Sequence, residues 1–108
     1  NFSNQKMRDE GGKEMFEEIL NSLETAHDQH ISVYGEGNAD RLTGQHETQH
    51  INTFTWGVGD RGASVRVPVS VEVNNWTGYL EDRRPAANCD PYKVALRIIQ
   101  TVENVEDV

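Results

Sequence analysis

Gly78-Tyr79-Leu80-Glu81-Asp82-Arg83-Arg84-Pro85 is the stretch on which the fold turns. Tyr79 to Asp82 predicts a strand. Side chains alternate along a strand, so Glu81 and Arg83 share one face, and of the adjacent Arg83 and Arg84 only one can face a given site. Upstream, Thr53 to Val58 and Ser64 to Val69 predict two more strands, joined by Gly59-Asp60-Arg61-Gly62. Val65 and Val67 alternate with Arg66, which gives one apolar face and turns Arg66 to the other. Further upstream, residues 35–50 are poor in apolar groups and rich in Gly, Asn, Thr and His, the composition of a mobile loop in which function is often carried.

Helices flank this region. Met15, Phe16, Ile19, Leu20 and Leu23 fall on one face of a 3.6-residue period and predict an amphipathic helix from about Lys13 to His27. A shorter helical turn from Asn4 to about Arg8 is expected before it, capped by Ser3 and broken by Gly11-Gly12. Ile31, Val33 and Tyr34 alternate like a short strand before Gly35-Glu36-Gly37-Asn38. At the other end Asp90 reads as a helix cap with Pro91 in the first position, and Val94, Leu96, Ile98, Ile99 and Val102 supply that helix's apolar residues. The order helix, strand, loop, strands, helix is α+β.

With 108 residues the chain is at most one domain, and its hydrophobic fraction of 35% is low for a compact one. That thinness fits part of a larger assembly whose core lies elsewhere, an incomplete domain over residues 1–108. The start at Asn1-Phe2-Ser3, without an initiator Met, is expected to fall inside an element. The formal charge of −8 argues against a nucleic-acid partner, whose footprint is basic. From Glu10 to Asp28 the chain is acidic and helical, which reads as a solvated face. The single cysteine, Cys89, cannot form an internal disulfide, so a reducing compartment is expected. No apolar run approaches the ~20 residues of a membrane span.

Two constellations carry chemistry. His46-Glu47-Thr48-Gln49-His50 fits the H-E-x-x-H zinc-peptidase pattern, which needs both histidines on one helical face and Glu47 as general base. Gly44 just before it, the weak helix formers Thr48 and Thr53, and the lack of an apolar stripe favour a polar loop instead. His27 and His30 form a second pair at a helix end, where histidines more often meet carbonyl groups than a metal. Arg61, Arg66, Arg83 and Arg84 are the other constellation. Converging guanidiniums bind carboxylate or phosphate bidentately and stabilise a transferring phosphoryl group, whereas isolated ones are solvated surface charges. Glu81 beside Arg83 is what a Mg²⁺-bound, phosphate-bearing site needs.

Four segments taken together resemble glutamine synthetase of the eukaryotic-type class: Arg41-Leu42-Thr43-Gly44-Gln45-His46-Glu47-Thr48, Arg61-Gly62-Ala63-Ser64-Val65-Arg66-Val67-Pro68, Gly78 to Pro85, and Asn88-Cys89-Asp90-Pro91-Tyr92. They follow the family's order and near its spacing, and Asn1-Phe2-Ser3 and Lys6-Met7-Arg8 match the stretch before them. The resemblance covers essentially the whole chain and places it in the C-terminal part of the catalytic domain, built of antiparallel strands packed with helices. Leu80, where the family usually has Phe, and Asp60-Arg61-Gly62, where Asn-Arg-Ser is commoner, depart from the pattern.

The resemblance implies ATP-dependent ligation of ammonia to L-glutamate through γ-glutamyl phosphate. It makes Glu81 a ligand of Mg²⁺ or Mn²⁺, gives Arg83 and Arg61 to substrate glutamate and Arg41 to its α-carboxylate, and directs Arg61 and Arg66 to the phosphates, with Arg61 also steadying the group in transfer. Asn1, Phe2, Ser3, Tyr79 and Leu80, with Glu81, would line the ATP site. Glu47 would sit on a flap over glutamate, helping to deprotonate ammonium and shielding the acyl phosphate from water. It further implies a cytoplasmic or organellar homo-oligomer of stacked rings, a decamer, with no nucleic-acid or membrane partner. The family's remaining metal ligands lie outside these residues, so the 108-residue chain by itself is expected to be inactive. The alternatives are a non-catalytic relative keeping the fold and a zinc metallopeptidase using His46, Glu47 and His50.

Overall fold

The computed structural model describes residues 1–45 and 48–106. Among the described residues six helices and three short strands follow one another: α1 (Gln5–Asp9), α2 (Lys13–Thr25), α3 (His27–Ile31), α4 (Asn38–Arg41), β1 (Trp56–Val58), β2 (Val65–Val67), α5 (Val69–Val73), β3 (Glu81–Asp82) and α6 (Pro91–Glu106). The fold is α+β, as the sequence predicts.

The core forms where the apolar stripe of α2 meets the sheet and α6. Phe16, Ile19, Leu20 and Leu23 pack with Met7, Val65, Val67, Val71, Leu80 and Val102. The Gly11-Gly12 break permits this. Gly11 has φ +59°, and a Cβ there would stand 2.2 Å from the carbonyl oxygen of Trp76, which accepts a 2.8 Å hydrogen bond from the Gly12 amide. Only a residue without a side chain fits so close to that backbone. Trp76 then meets Phe16 edge-on at 5.9 Å.

Several boundaries differ from expectation. The cap of α1 is Asn4, whose side-chain oxygen accepts from the Met7 amide at 2.8 Å, while the Ser3 hydroxyl donates to the Gly78 carbonyl at 2.6 Å. Ser3 thus ties the amino-terminal stretch to the segment before β3. The predicted Ile31–Tyr34 strand is absent: α3 runs to Ile31, and tight turns with Val33 N–H on the His30 carbonyl and Tyr34 N–H on the Ile31 carbonyl follow it. Tyr34 is buried by its polar partners, described below, and not by a strand pairing. The loop region 35–50 contains the single helical turn α4. β2 stops at Val67 because Pro68 has no N–H for the ladder, and the chain turns into α5.

The sheet is mixed, in order β1-β2-β3, and not wholly antiparallel. β2 and β3 are antiparallel, Arg66 opposite Glu81 and Val65 opposite Asp82. β1 and β2 are parallel, Trp56 opposite Val65. Parallel pairing normally demands a crossover of a dozen or more residues. These strands have three residues each, so the return path is about 7 Å along the sheet, and the link at 59–64 spans it. The amino terminus adds an antiparallel bridge between Phe2 and Leu80. α6 starts as expected, with the Asp90 carboxylate accepting from the Tyr92 amide at 2.9 Å. Its apolar residues divide, however. Val102 is buried, whereas Leu96 and Ile99 are 55% and 51% exposed, so one stripe packs on α2 and α3 and another faces outward.

Candidate functional site

Alternation along residues 80–84 builds the site. Leu80, Asp82 and Arg84 turn inward, while Glu81 and Arg83 lie on the other face. Leu80 is fully buried, Arg84 is 1% exposed and the Asp82 side chain 3%. On the outer face Arg66 of β2 donates to the Glu81 carboxylate through both Nε and Nη2. The register that sets Arg66 opposite Glu81 makes this pair a cross-strand neighbour.

Arg83 lies two residues beyond Glu81. Its amide donates to the Ser64 carbonyl at 2.9 Å, which prolongs the β2–β3 pairing. Its side chain helps line a small cleft with Arg41, Thr48, Gln49, His50 and Ser64. Arg41 reaches there from α4. Its Nη2 donates to the carbonyls of Arg83, Arg84 and Pro85 at 3.1, 2.7 and 3.3 Å, and its Nε to the Asn38 side chain at 3.1 Å. Asn38, buried, itself donates to the Arg84 carbonyl at 2.6 Å. Partial burial and the nearby positive charge of Arg83 hold the Arg41 guanidinium below its ordinary value, with Asp82 pulling the other way. Two cations thus bear on each other across the cleft wall, a setting that favours an anion between them. The space is about 20 Å³, room for a water and not for an amino acid.

Beneath this wall lies a polar network that reading the sequence missed. The Asp82 carboxylate accepts from Arg84 Nε and Nη2, both at 2.8 Å, from the Arg84 amide at 3.1 Å and from the Tyr34 hydroxyl at 2.7 Å. Burial pushes the Asp82 carboxyl upward, but the Arg84 hydrogen bonds and charge, with the Tyr34 hydroxyl, outweigh it and hold it below the ordinary carboxylate range. The Arg84 guanidinium lies over the Tyr34 ring at 5.1 Å and the Phe54 ring at 5.2 Å. Burial, reinforced by Asp82, pushes the Tyr34 hydroxyl upward, so it remains a donor. It therefore accepts from His30 Nδ1 at 2.6 Å, which leaves His30 Nε2 to accept from the Thr101 hydroxyl at 2.7 Å. Burial first, and then the Arg84 charge, lowers His30 from 6.5 to about 4. The one sequence signal for this network was the negative one that Arg83 and Arg84 cannot face the same way.

The expected site residues fall into groups. Glu81 and Arg66 meet, Arg41 and Arg83 share the cleft, and Phe2 bridges Leu80 just before Glu81. The Leu80 side chain sits in the core, so it is not available to a nucleotide in this structure. Tyr79 is half-buried beside it, and Arg61 is exposed on the turn that the Asp60 carboxylate forms with the Gly62 amide at 2.9 Å. Asn1, Phe2 and Ser3 line a different groove of about 460 Å³ against Val94, Ile98 and Val102 of α6, and no lysine or arginine side chain lines it. Glu47 and His46 lie outside the described residues. The described remainder of the zinc pattern, Thr48–His50, is non-helical. Among the described residues no three metal-ligating side chains come together. Glu81 is a hard oxygen donor that fits Mg²⁺ or Mn²⁺ as one ligand, and the residues present supply no complete site.

The chain is 55% identical over 101 residues to glutamine synthetase cytosolic isozyme 1-5 of Arabidopsis thaliana, covering 94% of this chain and 28% of that protein. It is 54% identical over the same length to the glutamine synthetase of Hebeloma cylindrosporum. To the chloroplastic glutamine synthetase of Chlamydomonas reinhardtii it is 55% identical over 102 residues, 94% of this chain and 27% of that one. The chain therefore spans a little over a quarter of the length of these relatives. No family model matches it.

Proposed function

Because the chain belongs to the glutamine synthetase family, we propose that it forms part of the site at which full-length enzyme joins ammonia to L-glutamate at the expense of ATP. The observation that carries this reading is the outer face of β2 and β3. It presents the Glu81 carboxylate against Arg66, with Arg83 two residues on beside Arg41. A carboxylate next to several guanidiniums suits a substrate that is itself an anion and a reaction that moves a phosphoryl group.

Arg41 and Arg83 would hold the glutamate carboxylates. Arg66, released from Glu81, would meet the phosphates together with Arg61, whose place on an exposed turn leaves it able to swing. Asn1, Phe2, Ser3 and Tyr79 would border the nucleotide, and Glu47 would act as base on ammonium. A divalent cation, Mg²⁺ or Mn²⁺, bound at Glu81 and at ligands from further chain, would offset the phosphate charge. The cleft's small size in this chain suits a site completed by other segments of a ring-shaped homo-oligomer. Relatives named both cytosolic and chloroplastic allow either compartment.

The test is glutamine formation by the full-length protein. Arg83→Ala should lower it about a hundredfold or more with the fold retained, and activity within a few-fold of wild type would refute the role. Glu81→Ala should weaken the Mg²⁺ and ATP responses together. Zinc analysis addresses the peptidase alternative, since stoichiometric zinc lost on replacing His50 would revive it.

A further inference from the structure

His27, at the start of α3, takes no part in the proposed chemistry, yet it joins three elements of the cleft. Its Nδ1 lies 2.8 Å from Arg84 Nη1, and its Nε2 lies 2.7 Å from the Ile51 carbonyl oxygen. A guanidinium only donates and a carbonyl only accepts. His27 must therefore be neutral, with a bare Nδ1 accepting from Arg84 and an Nε2–H donating to Ile51. The Phe54 ring meets the imidazole edge-on at 5.8 Å and keeps it in place.

Ile51 is held through both of its backbone polar groups, because its amide also donates to the Leu42 carbonyl at 2.9 Å. Leu42 directly follows Arg41, and Thr48, Gln49 and His50 directly precede Ile51 on the cleft wall. One imidazole thus connects the wall bearing residues 48–51 to Arg84, whose carbonyl and neighbouring amide fix the backbone that carries Arg83.

We infer that His27 is a positioning residue, which sets the Thr48–Ile51 wall against Arg83 and so fixes the width of the glutamate cleft. This rests on the assignment of that cleft to glutamate made above. Two variants separate its bonds. In His27→Asn the side-chain oxygen can stand where Nδ1 stood and accept from Arg84, but the chain is too short to reach Ile51. In His27→Gln the amide nitrogen can stand where Nε2 stood.

Amide hydrogen exchange over residues 49–53 of the full-length protein should be about two- to tenfold faster in the Asn variant, the span of one lost hydrogen bond. The Gln variant should match wild type. The KM for glutamate should rise by a similar factor in the Asn variant with kcat within about twofold, and Gln should restore it. A purely structural role would lower the melting temperature without that split.

Wild-type exchange in the Asn variant would overturn the inference, as would a folded Gln variant with a loosened 49–53 segment or a Gln variant that does not fold. If the Asn variant alone does not fold, the Gln comparison decides. A wild-type protein that makes no glutamine would refute the activity and leave the exchange comparison standing.

Discussion

Asp82 and Arg84 sit two residues apart on the inward face, and their pairing governs what Glu81 and Arg83 can do outside. A buried ion pair contributes little over a well-packed apolar replacement, but breaking it leaves a bare charge in the interior. Asp82→Ala should therefore cost about 3–5 kcal/mol, seen as a lowered denaturant midpoint. Tyr34→Phe removes one donor to a carboxylate and leaves the His30 Nδ1–H unmatched, so about 1.5–3 kcal/mol is expected. The two effects should be non-additive in a double-mutant cycle, because both act on one carboxylate. His30 adds a pH dependence. Its folded value of about 4 lies below the ordinary 6.5, so between those values the unfolded chain binds the extra proton. Its contribution is whole above about pH 6.5 and falls as pH drops toward 4, with a slope approaching ~1.4 kcal/mol per pH unit. Denaturation at pH 7 and pH 4.5 should show this loss in wild type and less of it in His30→Gln.

Among the elements, the Gly11–Gly12 junction between α1 and α2 is the most exacting. Gly11→Ala combines a positive φ with a Cβ 2.2 Å from the Trp76 carbonyl oxygen, which forces the junction and the 75–78 turn apart. A loss of at least about 2 kcal/mol is expected. Gly12→Ala meets nothing within 4 Å, though its φ of +108° is itself strained, so the steric part of the Gly11 cost should be missing. Denaturant unfolding of the two variants measures the difference. α2, the start of α6 and the alternation of β2 and β3 could be read from the sequence because each depends on neighbours in the chain: a 3.6-residue stripe, an Asp-Pro cap, a period of two. The strand predicted at Ile31–Tyr34 had the same local signature. Tyr34 is apolar in its ring alone, and its hydroxyl is bound to Asp82, 48 residues away.

For the molecule as a whole, the question is completeness. The chain spans 28% of the length of its Arabidopsis relative; among its described residues no three metal-ligating side chains come together, and the cleft beside Arg83 holds about 20 Å³. The 108-residue chain alone is predicted to form no glutamine from glutamate, ammonia and Mg-ATP. Turnover by the isolated chain, in an assay that reads the full-length protein, would refute that.

The sequence alone determined the helices with clear periodicity, the opposite faces of Glu81 with Arg83 and of Arg84, and the family, whose spaced motifs survive as text. All of these are properties of near neighbours or of residue order. Tertiary structure alone decided that Arg66 pairs with Glu81, that β1 runs parallel to β2, and that Asp82, Arg84, Tyr34, His27 and His30 form one buried network. Those contacts join residues far apart in the chain, and burial makes their hydrogen bonds obligatory. No local pattern encodes which distant partner will satisfy them.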